Sequence, residues 1–196
     1  MDGRARLFGH AVHPMLIVFP LGLLGTAVIF DVIGLVTGEL RWYEVGYYMM
    51  AAGIVGGVVA ALFGWIDWAA IPGRTRARRV GLAHGVGNVA VLALFGLSWL
   101  LRRENPAPPP TEAVVASLAG LGLALVTGWL GGELVERLGV GVHDGAHLDA
   151  PSSLSQLPAS LNRRPPVARW TGPERRTQSG ADWSGIERRT VVSRHP

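Results

Sequence analysis

Val45-Gly-Tyr-Tyr-Met-Met-Ala-Ala-Gly-Ile-Val-Gly-Gly-Val-Val-Ala-Ala-Leu-Phe-Gly-Trp-Ile66 runs through without one charged side chain, and its reading decides the fold. A helix rises about 1.5 Å per residue, so a stretch of this length crosses the roughly 30 Å of hydrocarbon in a bilayer. Met15–Val36, Val80–Leu101 and Ala113–Gly131 have the same character. The sequence therefore predicts an all-α protein: a four-span transmembrane helical bundle over residues 1–148, followed by a disordered basic tail over residues 149–196. The first stretch follows an arginine-bearing start, as a signal peptide would. It is longer than an h-region of about 7–15 residues and no A-x-A-like site follows, so it is expected to stay as the first span.

Composition agrees. Mean hydropathy is +0.31 and 16% of residues are charged, against roughly a quarter in soluble domains. Cysteine is absent, which removes disulfides, covalent haem attachment, iron–sulfur clusters and thiolate zinc sites together. Every basic side chain other than histidine is arginine, which reads as the coding bias of a GC-rich bacterial genome. The pI near 10.6 fits topology and attraction to anionic lipid. No recognition motif accompanies it, so nucleic acid is not an expected partner.

Four crossings bring one end of every span to the same membrane face. His10, His13, Asp67, His84, Glu133, Glu136 and His143 all belong to that face, and the opposite face has carboxylates but no histidine. Near the span ends, the histidine face holds Arg4, Arg6, Arg74, Arg76, Arg78, Arg79 and Arg137, and the other holds Arg41, Arg102 and Arg103. By the positive-inside rule both termini are expected in the cytoplasm, in a bacterial inner (plasma) membrane. The outer loops are Thr37–Glu44, with Trp42 and Tyr43 at interface level, and Arg102–Glu112, with its stiff Pro106–Pro110 run.

Lipid is as apolar as leucine, so spans associate through small residues. Gly53 with Gly57, Gly81 with Gly85, and Gly128 with Gly132 stack at four-residue spacing, and Gly22 and Gly25 flatten the first span. All are expected to pack against neighbouring helices.

Ionisable groups inside spans are costly and point by default to function. His13 precedes Pro14 at a helix start, and His84 lies about one turn inside the third span with Asn88 four residues on. Three readings stay open. The polar residues cap helices and pair with loop arginines; or His13 and His84, on different spans, ligate a b-type haem; or His10, Asp67 and Glu133 join histidines on a divalent metal. Asp31, near the outer end of the first span, is expected to bond another helix. No nucleotide-binding loop or G-x-S-x-G elbow is present, and the chain is not expected to be an enzyme.

Four blocks carry a resemblance. His13-Pro-Met-Leu-Ile-Val-Phe-Pro-Leu-Gly22, Gly64-Trp-Ile-Asp-Trp68, His84, and Gly128-Trp-Leu-Gly-Gly-Glu-Leu-Val135 with Gly139-Val-Gly-Val142 resemble the predicted bacterial membrane protein family of domain of unknown function 2231. The resemblance covers about His10 to Val142. It implies a four-span domain, sometimes joined to Rieske-type or cytochrome-type redox modules, with no established activity. Members often carry an aromatic or histidine where Glu136-Arg137-Leu138 stands here, so no ligand is expected from that segment.

The tail repeats Trp170-Thr-Gly-Pro-Glu-Arg-Arg-Thr177 as Trp183-Ser-Gly-Ile-Glu-Arg-Arg-Thr190. Arginine beside tryptophan suits an anionic lipid surface or a docking groove. The leading expectation is a redox-associated membrane module in the lipid bilayer, with a redox or other membrane protein as partner. The alternative is a structural or docking anchor whose tail binds anionic lipid or a partner protein.

Overall fold

The computed structural model describes residues 3–155 and 157–161. The tail repeats around Trp170 and Trp183 lie outside the described residues. A small antiparallel hairpin, β1 (Arg6–Leu7) and β2 (His10–Ala11), turns at Phe8-Gly9 and opens into the short helix α1 (Val12–Leu16). The long helices follow: α2 (Val18–Thr37), α3 (Leu40–Ala70), α4 (Arg76–Leu101) and α5 (Thr111–Gly132). Counting α1 with α2, and the turn after α5 with α5, these make four helices long and apolar enough to cross a membrane.

The helices outrun the apolar stretches because backbone hydrogen bonding continues where the side chains turn polar. The loop expected over Thr37–Glu44 is the clearest difference. Gly38 takes the left-handed conformation at φ 73° and its N–H returns to Gly34 O at 2.8 Å, closing α2 so tightly that α3 begins at Leu40. Tyr43 packs, buried, on Gly34, where any Cβ would stand 2.8 Å from the ring. At the other end of α3, Arg78 lies 4.2 Å over the Trp68 ring and donates to Ile71 O at 2.7 Å, holding the helix terminus. A break at Ile17 separates α1 from α2. Pro20 lacks the N–H that would bond Leu16 O.

The bundle is up-and-down, with α2 against α3, α4 against α5, and the two pairs closing on each other. Leu24, Ala27 and Val28 of α2, Met50 of α3, and Val91 and Phe95 of α4 form the buried centre. Towards the end without histidines the packing is dense. Asp31 and Arg102 meet there, and Ser98 Oγ donates to Ala113 O at 2.6 Å while accepting from Arg102. Arg102 is thus an interior residue, although its place in the sequence reads as a loop.

Glycines divide into two groups. A Cβ on Gly53 would stand 2.7 Å from Leu24, on Gly57 2.5 Å from Leu92, and on Gly81 2.8 Å from Trp68, so these close helix contacts as expected. Gly22, Gly25, Gly128 and Gly132 do not pack on a neighbouring helix: nothing lies within 4 Å of where their Cβ would be. The last three border the hollow described next.

Candidate functional site

The half of the bundle nearer the histidines holds a cavity of about 480 Å³, within the range of roughly 300–1,000 Å³ typical of ligand pockets. His13 and His84 both line it, together with Asp67, Asn88 and Gly25, Gly128 and Gly132.

Each imidazole is held in the same way. His13 Nδ1 lies 2.8 Å from Ala60 O on α3, and His84 Nδ1 lies 2.8 Å from Thr127 O on α5. A carbonyl only accepts, so each Nδ1 carries a proton, and in the neutral ring Nε2 keeps its lone pair. Each ring also rests on a glycine of the facing helix. A Cβ at Gly64 would come 2.9 Å from His13 Cε1, and one at Gly131 would come 3.1 Å from His84 Cε1. The glycines give the rings room and the carbonyls set their orientation.

Asn88 completes the setting of His84. Thr127 Oγ1 donates to Asn88 Oδ1 at 3.0 Å, and Asn88 Nδ2 donates to His84 O at 2.9 Å. The same Nδ2 is 3.1 Å from His84 Nε2 and 3.4 Å from Nδ1. A donor in line with the Nε2 lone pair would stand far from Nδ1 across the ring. Near-equal distances therefore place the amide over the ring face, and among the described residues no donor lies in line with the in-plane lone pair. His13 Nε2 has no hydrogen-bond partner among the described residues.

Asp67, the third expected ligand to reach the cavity, is occupied: Oδ1 accepts from Arg4 N at 2.7 Å and Ala5 N at 3.2 Å. Glu133 pairs with Arg76 at 2.6 Å. His10 sits on the hairpin, 3.2 Å from Ser153 Oγ, and His143 contacts Arg6 and lies 3.2 Å from Gly9 O. Among the described residues no three of His, Asp and Glu gather into a group able to hold a metal ion. After α5 the chain makes a π-helical turn over Glu133–Arg137, with Leu138 N bonding Glu133 O. Leu134 and Val135 of that turn border the cavity.

The family model described as Predicted membrane protein (DUF2231) matches residues 9–144. The chain belongs to this family. A search of curated proteins and a search of solved structures each return no match. In this DUF2231 member the matched residues take in both cavity histidines and Asp67, and leave Arg4 and Ala5 outside. It is a membrane protein with four candidate transmembrane helices.

Several site residues escape a reading of the sequence. Ala60 and Thr127 act through backbone carbonyls, which any residue supplies. Gly64 and Gly131 are singled out only by their contact with the rings. Thr127 lies four residues before Gly131 on one face of α5, a spacing that makes sense only once His84 is known to face them.

Proposed function

We propose that this bundle is a redox-associated membrane module that holds a b-type haem between His13 and His84. The observation that carries this reading is the matched pair of imidazoles, on two different helices and one cavity. Each has Nδ1–H fixed by a carbonyl and Nε2 left as the donor atom, the arrangement in which histidine binds metal centres. The donor set fits: two neutral nitrogens, with cysteine absent from the chain. The surroundings fit as well, because Gly25, Gly128 and Gly132 present bare backbone to space that a Cβ would enter.

A bound haem would supply one-electron transfer. The chain's own part is to aim the two imidazoles, keep bulk water out with apolar walls, and seal the far end through the packed core. The module passes electrons to a partner protein and is not itself an enzyme. Its histidine end faces the cytoplasm of a bacterial inner membrane. The arginine count still supports this when ion-paired arginines are set aside on both faces, Arg76 with Glu133 on the histidine face and Arg41 with Glu39 and Arg102 with Asp31 on the other.

The test is an absorption spectrum of the full chain purified in detergent, before and after reduction, with iron analysis. Bands that sharpen on reduction, with iron present, are expected. A featureless visible spectrum without iron overturns the haem reading and leaves the docking anchor.

A further inference from the structure

We propose that Asp67 is the positioning residue for His13, tying down the N-terminal segment that carries this imidazole into the cavity. The inference rests on the haem reading for its consequence, but its structural part stands apart from it.

His13 is placed by a segment with little of its own to hold it. Helix α1 is five residues long and none of its residues is buried. Its junction with α2 is weakened at Leu16, where Pro20 gives no N–H. Helix α1 continues into α2, with Ile17 N bonding His13 O at 3.2 Å, but five residues are too few to hold a helical turn by themselves. The hairpin before it has only two residues in each strand, and a two-stranded hairpin alone is marginal. Something outside the segment must therefore fix it.

Helix α3 provides that support along one line. Ala60, Gly64 and Asp67 lie at i, i+4 and i+7, on one face of the helix. Ala60 O accepts a hydrogen bond from His13 Nδ1–H, Gly64 makes room for the ring, and Asp67 accepts from the backbone N–H groups of Arg4 and Ala5. Ala5 O in turn accepts from Val12 N at 2.9 Å, and Val12 directly precedes His13. The path from carboxylate to imidazole is thus short and continuous: Asp67, the Ala5 peptide, Val12, His13. Gly3 fits the same account, since a Cβ there would stand 3.2 and 3.3 Å from the two Asp67 oxygens. Asp67 has no salt bridge among the described residues, so its carboxylate is not committed to neutralising an arginine.

The chain has no cysteine, so Ala11→Cys introduces a unique reporter on the cavity-facing side of the hairpin. In full-length protein, Asp67→Ala is expected to speed maleimide labelling at that position by about tenfold or more, the equivalent of losing a charge-assisted hydrogen bond. Asp67→Asn keeps a neutral Oδ1 acceptor without the charge and is expected to label at a rate between the native protein and Asp67→Ala. A chain shortened to begin at Arg6 removes both donors together with Ala5 O without touching α3; it is expected to label as fast as Asp67→Ala, and adding Asp67→Ala in that background is expected to change nothing further. In haem-loaded protein, Asp67→Ala should bind carbon monoxide as His13→Ala does, while Asp67→Asn and the native protein refuse it. Native labelling rates in both Asp67→Ala and the shortened chain overturn the proposal, as does an Asn variant that fails like the Ala variant. Protein that contains no haem yet labels faster on loss of Asp67 upholds the positioning role and overturns only the haem reading.

Discussion

Arg102 and Asp31 meet as a fork, Nη1 to Oδ1 at 2.9 Å and Nη2 to Oδ2 at 3.0 Å, with at most 1% of either side chain exposed. The pair lies at the far end of the bundle from the cavity and draws all the long helices together. Asp31 comes from α2 and Arg102 from the end of α4. Gly46 of α3 lies so close that a Cβ there would be 3.1 Å from Asp31 Oδ1. Ser98, which accepts from Arg102, holds the start of α5 through Ala113 O. This dense polar plug closes one end of the bundle and leaves the other hollow.

Breaking the pair from one side leaves a buried charge without its partner. Asp31→Asn or Arg102→Met alone is expected to cost about 3–5 kcal/mol, and replacing both by apolar residues of similar volume much less. Reversible unfolding in detergent, followed as a double-mutant cycle, measures the difference.

The two groups of glycines predict opposite outcomes for the same chemical change. Gly53→Ala forces a methyl to 2.8 Å from Leu24 Cγ and 3.2 Å from Leu23 Cβ and is expected to destabilise by about 1–3 kcal/mol. Gly25→Ala and Gly128→Ala meet no atom within 4 Å and should leave the melting temperature close to native. The larger Gly128→Leu is expected to spare the fold while abolishing haem uptake, read by the iron-to-protein ratio.

Both cavity histidines should be needed for the native spectrum, and the remaining histidines should not. His84→Ala is expected to remove or convert the visible bands, and His13→Ala to open a coordination position. His10→Ala and His143→Ala, whose rings contact Ser153 after α5 and Gly9 of the hairpin turn respectively, should leave the spectrum unchanged. Treatment with a chelator of divalent cations should also leave it unchanged.

Topology is checked by reporters fused after Pro196 and inserted within the Pro106–Pro110 run. The expected result is cytoplasmic activity from the first and exterior activity from the second. The reverse pattern would put the histidine end of the bundle on the outer face.

The spans were legible from the sequence because crossing a bilayer requires only length and apolarity, both properties of the chain taken residue by residue. The histidine asymmetry followed from the same count, since alternating crossings assign every loop to a side. What tertiary structure decided was how each helix is turned about its own axis. Segments such as Val45–Ile66 are apolar all round, so the helical period carries little information about which face is inward. That rotation sends Gly57 into a helix contact but leaves Gly25 and Gly128 beside open space. It brings His13 and His84 to one cavity while Glu133 goes to Arg76, and His10, on the hairpin, meets Ser153. It also draws Arg102, which reads as a loop residue, into the interior, because a guanidinium next to hydrocarbon is stabilised by the nearest buried carboxylate, and only the packed bundle determines that this is Asp31.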